Sequence, residues 1–357
     1  MIYFDNAATA IKREEILKDI LKNKQDFDGN PDSLHTKGRE AKKILEDSRR
    51  KIADSIGSNP KNVIFTSGAT EGNNTIINAF KDSEIITSAI EHDSILNTIN
   101  KDKAILLNVN KDGIIDIDNL KDAITEKTKL VAIMYVNNET GAIQPIKEIG
   151  DYLKDKDIWF HVDSVQAYGH IDIDVNRINC DSLSLSGHKI GGLNGFGILY
   201  LRENVVSFMK GGEQEKDRRA GTSFVAGAYS MAESYPKVLK ERSQIKEIKN
   251  YFIESLDKAK VDYELNGNLE LSSDHVLNIY FKDYKSDFLL TYLDINGICA
   301  SAGSACRAGS ILPSHVISNM YDEYRAEHSI RFSFGYQNTK KEVDKAIAAL
   351  ERLVDER

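Results

Sequence analysis

Residues 158–189 read IWFHVDSVQAYGHIDIDVNRINCDSLSLSGHK. Two runs inside this stretch, IWFHVD (158–163) and SLSLS (182–186), have the apolar, aromatic and β-branched character of buried strands. Each runs straight into polar, chemically capable residues: Asp163 to Gln166 after the first, and Ser186-Gly187-His188-Lys189 after the second. Working outward, VIFTS (63–67), EIITS (84–88), LVAIMYV (130–136) and GILYL (197–201) read as further strands. ATEGNNTIINAF (69–80) and IKEIGDYLKD (146–155) read as helices between them, the second opened by Pro145 near its first turn. Strands alternating with helices predict an α/β unit whose mostly parallel sheet is covered on both faces.

The flanks differ. NKQDFDGNPDSLHTKG (23–38) is loop-like in its Asn, Asp, Gly and Pro content. From Ala226 to about Lys260 the pattern is helical, with a break expected at Pro236. Beyond it, VLNIYF (276–281) and SIRFSF (329–334) are strand-like, while SDFLLTYLDI (286–295) and KKEVDKAIAALERLVDE (340–356) are helical, so a smaller α+β unit follows. A chain of 357 residues is long enough for two cores.

The composition, 41% hydrophobic and 29% charged with net charge −8, fits a globular protein and argues against a general nucleic-acid or membrane surface. The N-terminus MIYFDNAATAIKREE shows no secretory pattern, and a cytoplasmic location is expected. Cys180, Cys299 and Cys306 are too few and too unevenly spaced for a disulfide framework, and no paired-cysteine or H-E-x-x-H pattern suggests a metal. Cys180 and Cys299 read as buried small apolar residues. Cys306, in SAGSACRAGS (301–310), could be a nucleophile or a filler; the loop by itself leaves both open.

In open α/β sheets the ligand crevice lies outside the carboxyl ends of the strands. Five polar tails fall there: Ser67 to Thr70, Glu91-His92, Asn137 to Glu139, Asp163 to Gln166 and Ser186 to Lys189. Gly68, Ala69 and Thr70 sit where backbone N–H groups at a helix start can hold a phosphate, although the same residue types also cap helices. No nucleotide-binding glycine motif is present. A strand-end lysine could be a snorkelling surface residue; paired with a strand-end aspartate, it matches the two groups pyridoxal phosphate most needs, an amine for a Schiff base and a carboxylate for the pyridine nitrogen.

The motifs SGATE (67–71), EH (91–92), VNNETG (136–141), HVDSVQ (161–166), SGHK (186–189), RAGT (219–222), SAGSAC (301–306) and SIRFSFG (329–335) occur in an order that resembles the cysteine desulfurases of the class V aminotransferase superfamily. The branch resembled is the one with an S-G-S-A-C loop. The resemblance runs from YFDNAAT (3–9) through GNPDSLHTKGREA (29–41) nearly to the C-terminus. It implies a fold type I pyridoxal phosphate enzyme with a large cofactor domain over residues 15–242. Residues 1–14 and 243–357 would form a small domain carrying the cysteine loop and the carboxylate-binding arginine.

It further implies that Lys189 holds the cofactor and moves protons, that Asp163 keeps its ring nitrogen protonated, and that His92 stacks on the ring as acid or base. Gln166 and Asn138 would bond the ring oxygen and its surroundings. Ala69, Thr70, Ser186 and His188 would hold the phosphate, with Thr222 reaching that of a neighbouring subunit in a homodimer. Arg331, with Asn138, would take the carboxylate of L-cysteine, and Cys306 would accept its sulfur as a persulfide. Selenocysteine lyases and other aminotransferase-like enzymes share the Lys, Asp and Arg, and a non-catalytic interaction protein could keep the fold. Departures from the family are GLNG (192–195), Glu213, Lys216 and Arg307. The ending LERLVDER lacks the extension that housekeeping members use to dock an iron–sulfur scaffold, so the sulfur acceptor could be a specialised scaffold or a tRNA-thiolation enzyme.

Overall fold

The computed structural model describes residues 1–259, 261–303 and 313–355. In chain order its strands are β1 Ile2–Tyr3, β2 Val63–Thr66, β3 Glu84–Ser88, β4 Ala104–Leu107, β5 Thr128–Met134, β6 Trp159–Asp163, β7 Ser182–Ser186, β8 Gly197–Leu201, β9 Glu264–Leu265, β10 Val276–Tyr280, β11 Ile298–Cys299 and β12 Ser329–Ser333. The central sheet has the order β2-β8-β7-β6-β5-β3-β4. Only β8 runs against the rest, pairing antiparallel with both β2 and β7. The carboxyl ends of the other six strands therefore share one edge of the sheet.

Side chains alternate across a strand, so a sheet covered on both faces buries both sets. Val131, Ile133, Phe160, Val162, Leu183 and Leu185 face one core, under the helices Thr36–Ser55, Ile146–Leu153 and the first half of Val225–Lys258. Ile85, Leu130, Ala132, Leu199 and Leu201 face the other, with Ile76 and Ile77 of the helix Ala69–Ala79. The odd-even alternation in SLSLS now has a meaning: Leu183 and Leu185 enter the first core, and Ser182, Ser184 and Ser186 turn toward the helix Ala69–Ala79. All three serines are buried there. A Cβ on Gly72 would come within 2.5 Å of Ser184 Oγ, so this helix lies close on a polar seam.

A third core gathers Phe4, Phe252, Phe332 and Phe334 around the antiparallel sheet β12-β10-β9, with the helices Ser286–Ile295 and Lys340–Asp355. Phe4 makes edge-on contacts with Phe252, Phe332 and Phe334, the geometry favoured by ring quadrupoles.

Three expectations change. Pro236 does not break the helix Val225–Lys258. Its missing N–H removes one hydrogen bond, but Met231 and Val238 are packed in one core and Ile245, Phe252 and Leu256 in the other, so burial on both sides outweighs that loss. The loop-like stretch 23–38 contains the short helix Lys24–Phe27 and the start of Thr36–Ser55, whose first turn His35 caps by accepting the Gly38 N–H. An additional strand, β4, forms the edge of the central sheet beside β3; it is short and only partly buried, and therefore lacks a strong sequence pattern. No helix among the described residues is long and apolar enough to cross a membrane.

Candidate active site

At the carboxyl edge of the central sheet lies a cavity of about 360 Å³. It is lined by Ala69, Thr70, His92, Asn138, Asp163, Gln166, Ser186, His188, Lys189 and Arg331, all expected from the sequence. Ala7, Ser94, Asn194 and Gly195 also line it and were not anticipated. Register explains the assembly: Met134 pairs with Asp163 across β5 and β6, Asp163 with Ser184 across β6 and β7, and Ser186 with Gly197 across β7 and β8. Cys306 lies outside the described residues. Thr222 is exposed and does not line the cavity, which is the one described expectation the chain does not bring to the site.

Gly68 precedes the 11-residue helix Ala69–Ala79 with φ 156 and ψ 175, and offers no side chain to cap its first N–H groups. Open donors at a helix start, beside Ser186 and His188, form a cradle for an anion. A Cβ on Gly68 would meet only Ser186 Oγ, at 4.0 Å, and one on Gly195 nothing within 4 Å, so the cradle is open toward the cavity.

Lys189 sits on the short 3-10 helix Gly187–Ile190 that follows β7. Its Nζ donates to the carbonyls of Ala7 at 2.7 Å and Ala8 at 2.8 Å. The N-terminal segment thus supplies its partners. His188 contacts Thr9 Oγ1 at 3.2 Å, and burial, then the Lys189 and Lys12 charges, push it down to about 3. It is neutral at physiological pH.

Arg331, on β12, is buried. It donates to the Asn138 carbonyl at 2.9 Å and to Asp5 Oδ1 at 2.8 Å, while its Nε has no hydrogen-bond partner among the described residues. A buried donor without an acceptor is costly, so the guanidinium suits an added carboxylate. Gln166 donates to the Ala7 carbonyl at 2.9 Å and pairs through Oε1 with His275 Nε2 at 3.0 Å. His275, next to β10, stacks on His170 with ring centroids 3.5 Å apart. Neither histidine was singled out in the sequence.

These histidines give a stability signature. Burial pushes His161 and His170 down to about 3 and His275 well below the usual range. A native base with a lowered pKa binds fewer protons than the unfolded chain, so stability is complete above about pH 6.5 and falls toward pH 3. For His161 alone the loss at pH 5 is about 2 kcal/mol. Glu91 runs the other way: burial raises its carboxyl to about 8, a cost that acid relieves. Three further histidines set against one carboxyl leave acid as the destabilising direction, with an expected net loss on the order of 5 kcal/mol between pH 7 and pH 5. Urea midpoints measured across that window check this; a flat profile would show that the histidines are not held neutral.

The chain matches the class-V aminotransferase family model over residues 2–346. It is 38% identical to a cysteine desulfurase IscS of Dictyoglomus turgidum, covering 99% of this chain and 94% of that protein. The solved NifS-like protein from Rickettsia africae superposes with a TM-score of 0.91 at 32% identity, covering 99% of each chain. The structure of SspA in complex with cysteine superposes with a TM-score of 0.83 at 29% identity, covering 95% of this chain and 100% of that one. Sheet order, strand-end site and family match define a class-V aminotransferase. Within that class, the chain belongs to the cysteine desulfurases.

Proposed function

We propose that this chain is a pyridoxal phosphate-dependent cysteine desulfurase, taking sulfur from L-cysteine, releasing L-alanine and carrying the sulfur as a persulfide on Cys306. The observation that carries this reading is the convergence of Lys189, Asp163 and Arg331 on one cavity from β7, β6 and β12. The residues fit the cofactor: an anion cradle at Gly68 to Thr70, an amine 2.7 Å from its carbonyl partner and a buried carboxylate all open on the same space.

Ala69, Thr70, Ser186 and His188 would hold the phosphate, and Lys189 the carbonyl carbon. Asp163 would hold a proton on the ring nitrogen, His92 would cover the ring face, and Gln166 and Asn138 would bond its oxygen side. When bound there, pyridoxal phosphate supplies an electron sink for charge developing at the substrate Cα. Arg331 orients the substrate by its carboxylate, and Lys189 takes and returns the Cα proton. The Cys306 thiolate attacks the substrate sulfur; a carbon–sulfur bond breaks with its electron pair left on carbon, and a sulfur–sulfur bond forms.

Thr222, exposed on the surface, would complete the phosphate site of a second subunit in a homodimer, and a separate acceptor protein would take the sulfur for iron–sulfur assembly or thiolation. The division into 15–242 against 1–14 and 243–357, and a cytoplasmic location, belong to the same proposal. The test is an assay of purified protein supplied with pyridoxal phosphate, L-cysteine and a reductant. Equal amounts of sulfide and alanine are expected from a yellow preparation. A preparation that stays colourless and releases neither would overturn the reading.

A further inference from the structure

Beneath the cavity, the polar seam between the helix Ala69–Ala79 and the central sheet forms one continuous chain of hydrogen bonds. Asn73, fully buried on that helix, donates through Nδ2 to Asp163 Oδ2 at 2.7 Å and to Ser94 Oγ at 2.8 Å. Its Oδ1 lies 2.9 Å from His161 Nε2. His161 Nδ1 lies 2.8 Å from Ser182 Oγ, which accepts the Trp159 Nε1–H at 2.7 Å. On the other branch, Ser94 Oγ lies 2.9 Å from His92 Nδ1, and the Ser94 N–H donates to the same nitrogen at 3.0 Å.

One carboxylate fixes the protons on the Asn73–His161 branch of this chain. An ionised Asp163 only accepts, so the Asn73 amide must turn its NH2 to Asp163 and its oxygen to His161. That oxygen requires a proton on His161 Nε2, which leaves His161 Nδ1 to accept the Ser182 hydroxyl proton. Ser182 is then free to accept from Trp159, whose indole can only donate. Toward the cavity, Ser94 Oγ accepts the second Asn73 N–H. The Ser94 N–H donates to His92 Nδ1 and by itself places the neutral His92 proton on Nε2. Burial keeps His161 neutral, so the chain does not reverse as pH falls toward 5.

We infer that Asn73, backed by His161, is a positioning residue of this active site: through one buried amide it orients the Asp163 carboxylate and fixes the tautomer of His161. It reaches the cofactor site through the Asp163 carboxylate. The inference rests on reading the cavity as the pyridoxal phosphate site, and its test separates the two.

In apoprotein labelled with 15N-histidine, imidazole nitrogen shifts are expected to report an Nε2–H tautomer for His161; Asn73→Leu, close in shape but apolar, removes the acceptor of that proton and is expected to leave His161 a tautomer mixture. The same variant is expected to weaken pyridoxal phosphate binding and lower kcat by about 10- to 100-fold each, as loss of a supporting partner does at other preorganised sites. KM for cysteine is expected to stay within about threefold, because Asn73 makes no contact with the substrate site. Should Asn73→Leu fail to fold, His161 supplies the second arm. His161→Leu is expected to lower kcat in the same way. His161→Gln, whose amide N–H replaces Nε2–H, is expected to recover most of that loss. If the wild type binds pyridoxal phosphate, but Asn73→Leu keeps its affinity and the His161 tautomer, the inference fails. If His161→Leu and His161→Gln behave alike, it also fails. If the wild type binds no cofactor, the functional reading fails instead.

Discussion

Replacing Lys189 by alanine is expected to lower sulfide and alanine production by about 10⁴-fold, because in the proposed mechanism one side chain both holds the cofactor and transfers the Cα proton. The fold should tolerate the change. The lysine ammonium donates to the Ala7 and Ala8 carbonyls, and both residues border the cavity, where water can replace it. The backbone path of the turn does not depend on the side chain: Gly192 N–H bonds the Gly187 carbonyl at 2.9 Å, and Gly191 takes the left-handed conformation, φ 84, that closes it. Thermal unfolding within a few degrees of wild type, together with loss of the tightly held yellow colour, is therefore the expected pair of results. Retention of more than a tenth of wild-type turnover would remove Lys189 from both roles.

Lys189 and Asp163 could be read from the sequence because strand periodicity is a local signal and each lies where a strand ends. Arg331 was found only by resemblance. Its partner Asp5 lies 326 positions away, and no local pattern pairs them. Asn73 and His161 were missed for a different reason. In a helix running ATEGNNTIINA, an Asn reads as solvent-facing or as a capping group. In IWFHVD, a lone His reads as a satisfied core residue. Their meaning depends on depth and on which face of the sheet the helix covers, and both are properties of the assembled layers.

The serines of SLSLS illustrate the same limit. Their alternation correctly marks a strand, and in a sheet open on one side it would also mark the wet face. Here that face is buried beneath the helix Ala69–Ala79, where Ser182 joins a chain of hydrogen bonds and Ser186 opens on the cavity. Pro236 shows the limit from the opposite side. Its local preference is to stop a helix, but two cores grip the helix on either side of it.

Replacing Cys306 by alanine is expected to reduce sulfide release by at least about 100-fold while leaving the cofactor bound. The other two thiols offer no substitute. Cys180 is fully buried, and desolvation pushes its thiol well up, away from the reactive thiolate. Cys299 is half-buried on β11 rather than fully buried as expected; burial and then the Asp294 and Asp5 charges raise its thiol as well. Neither lines the cavity. In the proposed mechanism, proton abstraction at Cα uses Lys189, Asp163 and Arg331 and does not need the thiol. In deuterated water, the variant should therefore still exchange the Cα proton of L-cysteine at a rate near that of the wild type, read by proton NMR, while alanine and sulfide fail to accumulate. That separation distinguishes a missing nucleophile from a damaged site: loss of exchange together with sulfide would mean that the variant had disturbed the site itself. Sulfide release at the wild-type rate would mean that the sulfur leaves carbon without Cys306, and the persulfide would have to be dropped from the mechanism.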